Sequence, residues 1–223
     1  DATVIDRIKE GTCIIPNLNI LDEGTSHKIN GVRLLGLGGD IVYDRLFDHG
    51  KAQGLVPGES GYIWSTMFQI VRLLQTARET FDKKETRIFC AYKSLGKEAL
   101  IALLASHVNA NFCVGGHVHA PYCATFTHWT TQDAASWGSW IETTITQVQD
   151  NWAQVQTDVE KCCSATVRES LESAMEVFQT VPSLDSMRAL WGVVLCDLEL
   201  GYAIANLKNH KLGLETISTG MRV

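Results

Sequence analysis

Residues 86–119 read TRIFCAYKSLGKEALIALLASHVNANFCVGGHVH, and the order of apolar runs in this stretch decides the fold. Residues 86–92 and 112–115 predict two strands. Residues 96–108 between them predict a helix, with Leu100, Leu103 and Leu104 at helical spacing. Strand, helix, strand is the pattern of a parallel crossover. The sequence therefore predicts an α/β fold with a parallel sheet.

Polar groups follow both of these strands. Tyr92, Lys93 and Ser94 end the first strand, and residues 116–119, Gly-His-Val-His, end the second. In open α/β sheets, ligand-binding and catalytic groups gather beyond the carboxyl ends of the strands. These two groups of residues are therefore expected to be neighbours at one edge of the sheet.

His117 and His119 are the candidate metal ligands. Two histidines separated by one residue in an irregular turn can direct both imidazoles into one pocket, and imidazole suits Mn, Fe or Zn when carboxylates complete the shell. Two metals about 3.5–4 Å apart lower the pKa of a bound water and supply hydroxide. Metal-dependent phosphoester hydrolysis is thus the leading hypothesis. The alternative is a pair of surface histidines in a tight glycine turn.

Asp40 is the third candidate ligand, because it follows Gly38 and Gly39 at the end of an apolar run. A solvated turn aspartate is the alternative, and the residues alone favour it. His107 lies at the end of the crossover helix, away from the strand ends. The other sequence patterns that signal phosphate loops or serine nucleophiles do not occur in the chain.

Further elements extend the pattern on both sides. Residues 18–20 and 32–37 predict strands, and residues 40–60 predict a long loop. Helices are predicted over residues 62–81, 137–160 and 165–180, the last two within a helical segment at 130–185. The tryptophans of 137–160 favour a core or helix-packing face over a ligand-binding site. Residues 191–198 and 202–207 predict a hairpin with its turn at 199–201.

The composition bounds the class of protein. A chain of 223 residues with 45% hydrophobic and 20% charged residues fits one soluble globular domain. A net charge of −6, with no basic run longer than Lys83-Lys84, argues against nucleic-acid binding. No apolar run reaches transmembrane length, and no leader is recognisable. The seven cysteines are interpreted as small buried side chains in a reduced compartment, so an intracellular, cytoplasmic location is expected.

In several stretches, including Gly116-His117-Val118-His119, the chain resembles the calcineurin-like metallophosphoesterase superfamily, and within it an uncharacterised fungal family. The resemblance implies an α/β sandwich, with sheets flanked by helices, represented mainly by its C-terminal half in a single domain over 1–223. By this resemblance the N-terminal metal motifs would lie before Asp1. The matching stretches are residues 15–23, 31–39, 46–48, 76–78, 81–82, 94, 96–98 and 109–119.

The resemblance also assigns roles at the sheet edge. His117 and His119 would each touch a different metal, whereas Tyr92 stands where the family has a ligand histidine. A neutral phenol is a poor metal ligand, although with Ser94 it could line the site and bind a phosphate oxygen.

Two hypotheses therefore follow for function. In the first, a complementary N-terminal segment or another protein chain completes a divalent-metal site (Mn, Fe or Zn) that hydrolyses a phosphoester. In the second, the chain holds no metal and is a pseudo-phosphoesterase, a binding or scaffold module whose helix at 137–160 contacts a partner. A half-sandwich would expose a sheet edge and an apolar face, so a complementary segment is expected in either case.

Overall fold

The computed structural model describes residues 7, 15–16, 18–48, 56–57, 63–116, 118–119, 123–127, 133–183, 190–197, 199–208 and 211–219. Its strands are β1 (His27–Ile29), β2 (Val32–Leu37), β3 (Val56–Pro57), β4 (Ile63–Trp64), β5 (Thr86–Lys93), β6 (Phe112–Gly116), β7 (Ala124–Thr127), β8 (Trp191–Val194), β9 (Gly201–Lys208) and β10 (Lys211–Ser218). Its α-helices are α1 (Met67–Glu79), α2 (Ala99–His107), α3 (Ala134–Cys162) and α4 (Ala165–Met175).

The main sheet has the strand order β1-β2-β5-β6-β8-β7. The four central strands β2, β5, β6 and β8 run parallel, and β1 and β7 flank them antiparallel. The β5–α2–β6 unit is the predicted crossover. The predicted α/β class with a mostly parallel sheet is confirmed. The metallophosphoesterase sandwich itself stays a prediction.

The helices cover one face of this sheet. Side chains alternate along a strand, and Leu35, Phe89 and Cys113, which are in register on β2, β5 and β6, belong to the main core. α1 packs on β2 and α4, and α2 packs on β5 and α3. None of the described helices combines the length and the apolar character needed to cross a bilayer.

The tryptophans of α3 belong to this core. Trp137 is fully buried, and Trp140 and Trp152 pack against the same cluster. The apolar side of this helix therefore packs against the protein's own core, and the hypothesis that the helix contacts a partner stays a prediction. The interpretation of the tryptophans as a core face is confirmed.

The opposite face of the sheet is covered by the β9–β10 hairpin. Ala205 and Leu212 of the hairpin line a cavity of about 300 Å³ together with Leu34 and Ile88 of the sheet. Trp191 belongs to the register of this face, beside Phe112, and is 44% exposed. This face is therefore apolar and only partly covered by the described residues.

Two local predictions are wrong. The predicted hairpin of residues 191–198 with 202–207 does not form, because β8 pairs in parallel with β6 and β9 pairs with β10. Residues 18–20 are not a strand. The predicted loop at 40–60 contains a 3-10 turn (Tyr43–Arg45) and β3, while residues 49–55 and 58–60 lie outside the described part of the chain.

A buried carboxylate joins β1 and β2 to the start of β5. Glu85 accepts hydrogen bonds from Arg33 and pairs with Lys28, with Arg33 Nε and Lys28 Nζ each 2.5 Å from a carboxylate oxygen. The hydrogen bonds from Arg33 and then Lys28 lower the pKa of Glu85 to about 2 from 4.5.

Because of this lowered pKa, the stability of the folded state depends on pH in the acid range. The folded state holds the charged form more tightly than the unfolded chain does, so the contribution is complete above about pH 4.5 and is lost as the pH falls towards about 2. Glu85→Gln is expected to lower the free energy of unfolding by about 1–2 kcal/mol at neutral pH and by little at the acid end. Urea unfolding of both proteins across this range checks it. If Glu85→Gln lowers the free energy of unfolding by the same amount at every pH, the lowered pKa of Glu85 is contradicted.

Candidate functional site

The parallel strands β2, β5, β6 and β8 end at a common edge, here called the carboxyl edge. The register places Leu37 of β2 and Gly115 of β6 beside Ala91 of β5, and Val194 of β8 beside Gly115. Every candidate site residue in the described part of the chain follows or ends one of these strands. The expected gathering of polar groups at one edge is therefore present.

Asp40 is held at this edge by its backbone. Gly39 has φ +90°, and a Cβ there would lie 2.8 Å from Ser65 N, so a glycine is needed where the chain leaves β2. Asp40 N donates to Ile63 O and Ser65 N donates to Asp40 O, both at 2.8 Å. These bonds fix the backbone of Asp40 at the carboxyl edge.

Lys93 is the partner of this carboxylate. Its Nζ lies 2.5 Å from Asp40 Oδ1, which also accepts a hydrogen bond from Ile41 N at 2.7 Å. The two side chains are 23% and 19% exposed, so the pair is largely shielded from water. Asp40 is thus part of an ion pair across the sheet edge rather than a solvated turn residue. Sequence reasoning noticed Lys93 at the strand end but gave it no role.

A second pair lies further along the edge. Asp197 follows β8, and its Oδ2 lies 2.9 Å from Nδ1 of His119. His119 is 69% exposed, so this contact is much more open to solvent than the Lys93–Asp40 pair. His117 lies outside the described residues. Sequence reasoning missed Asp197, whose only signal is its position just beyond the apolar run of β8.

Tyr92 and Ser94 have different surroundings. Tyr92 is half-buried near the end of β5. Ser94 is buried, and its carbonyl accepts hydrogen bonds from Lys97 N at 3.0 Å and Glu98 N at 3.1 Å. Ser94 therefore begins the turn that leads into α2.

Gly115 brings β6 very close to this turn. A Cβ on Gly115 would lie 2.5 Å from Lys93 O and from Ser94 N, whereas a Cβ on Gly116 would meet nothing nearer than 3.6 Å. The first glycine of the Gly-Gly-His sequence is therefore needed for close packing of the two strand ends. The second is not needed for that reason.

The donor set does not fit a dinuclear metal centre within the described residues, to which His117 does not belong. No group of three or more His, Cys, Asp or Glu side chains among them is arranged to hold a metal. The carboxylate of Asp40 faces an ammonium group, and a divalent cation placed there would be repelled by it. His119 pairs with a different carboxylate, Asp197.

The charges at the edge also disfavour an anion site. Asp40 and Asp197 contribute two carboxylates, and Lys93 contributes one ammonium group. The imidazole of His119 adds positive charge only when it is protonated. A phosphate group would therefore meet no excess of positive charge from these side chains.

The energy of the Lys93–Asp40 pair can be measured against a surface pair in the same protein. A double-mutant cycle of Lys93→Met with Asp40→Asn is expected to give a coupling energy of about 1–2 kcal/mol, because the pair is shielded. The matched cycle is Arg45→Met with Asp48→Asn, whose side chains are more exposed and whose Arg45 Nη1–Asp48 Oδ2 distance is 3.0 Å. It is expected to give no more than about 0.5 kcal/mol. Equal couplings in the two cycles would contradict the shielded ion pair.

The three comparisons with known proteins add no relative. Neither the models of known families, nor the curated proteins, nor the solved structures contain a match to this chain.

Proposed function

We propose that this chain is a pseudo-phosphoesterase, a non-catalytic binding or scaffold module that resembles the calcineurin-like phosphoesterases. The observation that carries this proposal is the ion pair between Lys93 and Asp40 at the carboxyl edge. A lysine ammonium there neutralises a carboxylate that a metal would otherwise use. Tyr92, the neighbour of Lys93, stands where the resemblance implies a ligand histidine.

The physical reason is competition between cations. A metal that used Asp40 would have to displace Lys93 Nζ from a contact of 2.5 Å, and the displaced ammonium would remain on a short tether near the new charge. A phenol would not replace the lost binding energy, because it is neutral near pH 7. The edge therefore favours the ion pair over a metal.

The partner that we propose is a complementary protein segment, either covalently linked or on another chain. Its binding surface is the exposed apolar surface at the β9–β10 hairpin, formed by Tyr202 and Ile204 on the outer side of the hairpin and by Trp191 of β8. A contiguous exposed apolar surface on a protein commonly marks a site where another protein binds. Light scattering of 1–223 alone is expected to show self-association, and a well-behaved monomer that binds no apolar dye would contradict this.

The catalytic part of the proposal is tested by a phosphatase assay. Purified protein is incubated with p-nitrophenyl phosphate and with bis-p-nitrophenyl phosphate, with Mn²⁺, Fe²⁺ or Zn²⁺ added. The expected rate equals that of the metal-only blank and is the same for His119→Ala. Metal-dependent turnover that falls by about 100-fold or more in His119→Ala would contradict the proposal.

One observation favours the second candidate, a metal-dependent phosphoester hydrolase. Histidines that bind metals commonly place one ring nitrogen on a carboxylate, which orients the other nitrogen as a ligand. His119 and Asp197 have this arrangement, with Nδ1 and Oδ2 2.9 Å apart. In this alternative a divalent Mn, Fe or Zn ion would use His119, with His117 as the second ligand, and would supply the hydroxide for hydrolysis of a phosphoester.

A further inference from the structure

Two cysteines lie in contact beside the carboxyl edge, although they are 73 positions apart in the sequence. The sulfur atoms of Cys123 and Cys196 are 3.6 Å apart, and both side chains are reduced thiols. Cys196 is 8% exposed, and Cys123 is more accessible. The sequence favoured isolated buried cysteines and contained no motif that pairs these two.

The fold explains why they meet. Cys123 immediately precedes β7, and Cys196 follows β8 by two residues; these two strands pair antiparallel, with Ala124 beside Val194. The hairpin covers the pair from one side. A Cβ on Gly201 would lie 2.6 Å from Cys196 Sγ, and Cys123 Sγ lies 3.9 Å from Ile217 O. The two thiols are therefore held together by four strands, the β7–β8 pair and the β9–β10 hairpin.

We infer that Cys123 and Cys196 form a reversible disulfide site that responds to peroxide. A disulfide has an S–S length of about 2.05 Å, so the sulfurs must approach by about 1.5 Å, a movement within the reach of side-chain rotation. The inference does not depend on the proposed function, because it uses neither a metal nor a phosphoester.

The chemistry balances with a hydroperoxide as the oxidant. The thiolate of Cys123, the more accessible of the two, attacks a peroxide oxygen; an S–O bond forms, the O–O bond breaks and hydroxide leaves. The sulfur of Cys196 then attacks the sulfenic sulfur; the S–S bond forms, the S–O bond breaks and water leaves. Two thiols and one hydrogen peroxide thus give one disulfide and two waters. A dithiol reverses the bond by exchange.

A disulfide between Cys123 and Cys196 would affect the carboxyl edge, because both cysteines lie close in sequence to residues of that edge. Cys196 is adjacent in sequence to Asp197, and Cys123 follows His119 by four residues. Oxidation would therefore join the segment that carries His119 to the end of β8, next to the carboxylate that contacts this histidine. The carboxyl edge becomes cross-linked in the oxidised protein and opens again on reduction.

The other described cysteines are poorer candidates for this reaction. Burial raises the pKa of Cys90 to about 11. Burial is also the main reason that the pKa of Cys113 is raised, so both side chains remain thiols. Cys162 and Cys163 are adjacent at the end of α3, and Cys162 is exposed. These two serve as internal competitors for the oxidant.

The test uses the folded full chain treated with hydrogen peroxide, alkylated, digested and analysed by mass spectrometry. The expected result is a linked Cys123–Cys196 peptide that dithiothreitol removes, with Tm higher by about 5–10 °C in the oxidised protein. Cys162→Ser is expected to keep the link, and Cys123→Ser to lose both the link and the Tm shift.

Two results would overturn the inference. In the first, Cys123 and Cys196 both remain alkylated while Cys162 or Cys163 oxidises. In the second, Cys123 proceeds to sulfinic acid with no linked peptide. Both are read on the wild-type protein, so neither depends on the folding of a variant.

Discussion

Arg87→Met is expected to lower the free energy of unfolding by about 3–5 kcal/mol, the largest effect of any substitution proposed for this protein. Arg87 is 2% exposed. Its Nη1 donates to Val108 O at 2.6 Å and its Nη2 donates to Ala77 O at 2.7 Å. The guanidinium also lies 5.3 Å from the ring centroid of Phe81.

The expected loss of stability is large because the two carbonyl groups lie at the ends of helices. Ala77 lies in the last turn of α1 and Val108 caps the end of α2, where carbonyl groups lack helical partners. Arg87 on β5 satisfies both and places a positive charge at the negative ends of two helices. Methionine fills much of the same volume but leaves both oxygens without this donor.

The matched control is Arg78→Met. Arg78 is exposed on α1 and donates to the hydroxyl of Ser173 at 3.1 Å, so its loss is expected to change stability by no more than about 0.5 kcal/mol. Urea unfolding of the two variants compares them directly. If Arg87→Met costs less than about 1 kcal/mol, the helix ends are satisfied by other means and the assignment of Arg87 is wrong.

Gly115→Ala is the second large effect, and Gly116→Ala is its matched control in the same motif. The added methyl of Gly115→Ala would overlap backbone atoms of Lys93 and Ser94 at 2.5 Å, which cannot rotate away. We expect a loss of about 3 kcal/mol, since overpacking against the main chain forces the strands apart. Gly116→Ala meets only ordinary contacts at 3.6 and 3.8 Å and is expected to change stability by less than about 1 kcal/mol.

The same pair of variants probes the carboxyl edge. Displacement of Lys93 in Gly115→Ala is expected to weaken its pairing with Asp40, so replacing Lys93 in that background should cost less than it does in the wild type. Denaturant titration of the single and double variants measures this difference. An equal cost of Lys93→Met in both backgrounds would show that the close approach of β6 does not position the lysine.

Local sequence patterns were sufficient to predict the strands and the helix at the centre of the fold. The predicted strands at 86–92 and 112–115 correspond to Thr86–Lys93 and Phe112–Gly116. The helix predicted from 96 begins at Ala99, because Glu98 is its N-cap and the chain first turns on Ser94. Such caps depend on side-chain hydrogen bonds, which apolar spacing does not record.

Long-range pairing was beyond the reach of the same reasoning. Apolar composition identifies residues 191–194 as a strand, yet the partners of this strand are β6 and β7, far earlier in the sequence, and not residues 202–207. The position of Asp197 depends on the pairing with β6, and the Cys123–Cys196 contact depends on the antiparallel pairing of β7 with β8. Lys93 was visible at the strand end, but its partner depends on how Gly39 turns the chain after β2.

We propose that the ammonium group of Lys93 excludes a metal from the carboxylate of Asp40 at the carboxyl edge. The most direct test of this proposal is the metal content of purified 1–223 after dialysis against Mn²⁺, Fe²⁺ or Zn²⁺, measured by plasma mass spectrometry, for the wild type and for His119→Ala. We predict far less than one bound metal per chain in both proteins. One or more tightly bound metals per chain, lost in His119→Ala, would contradict the account.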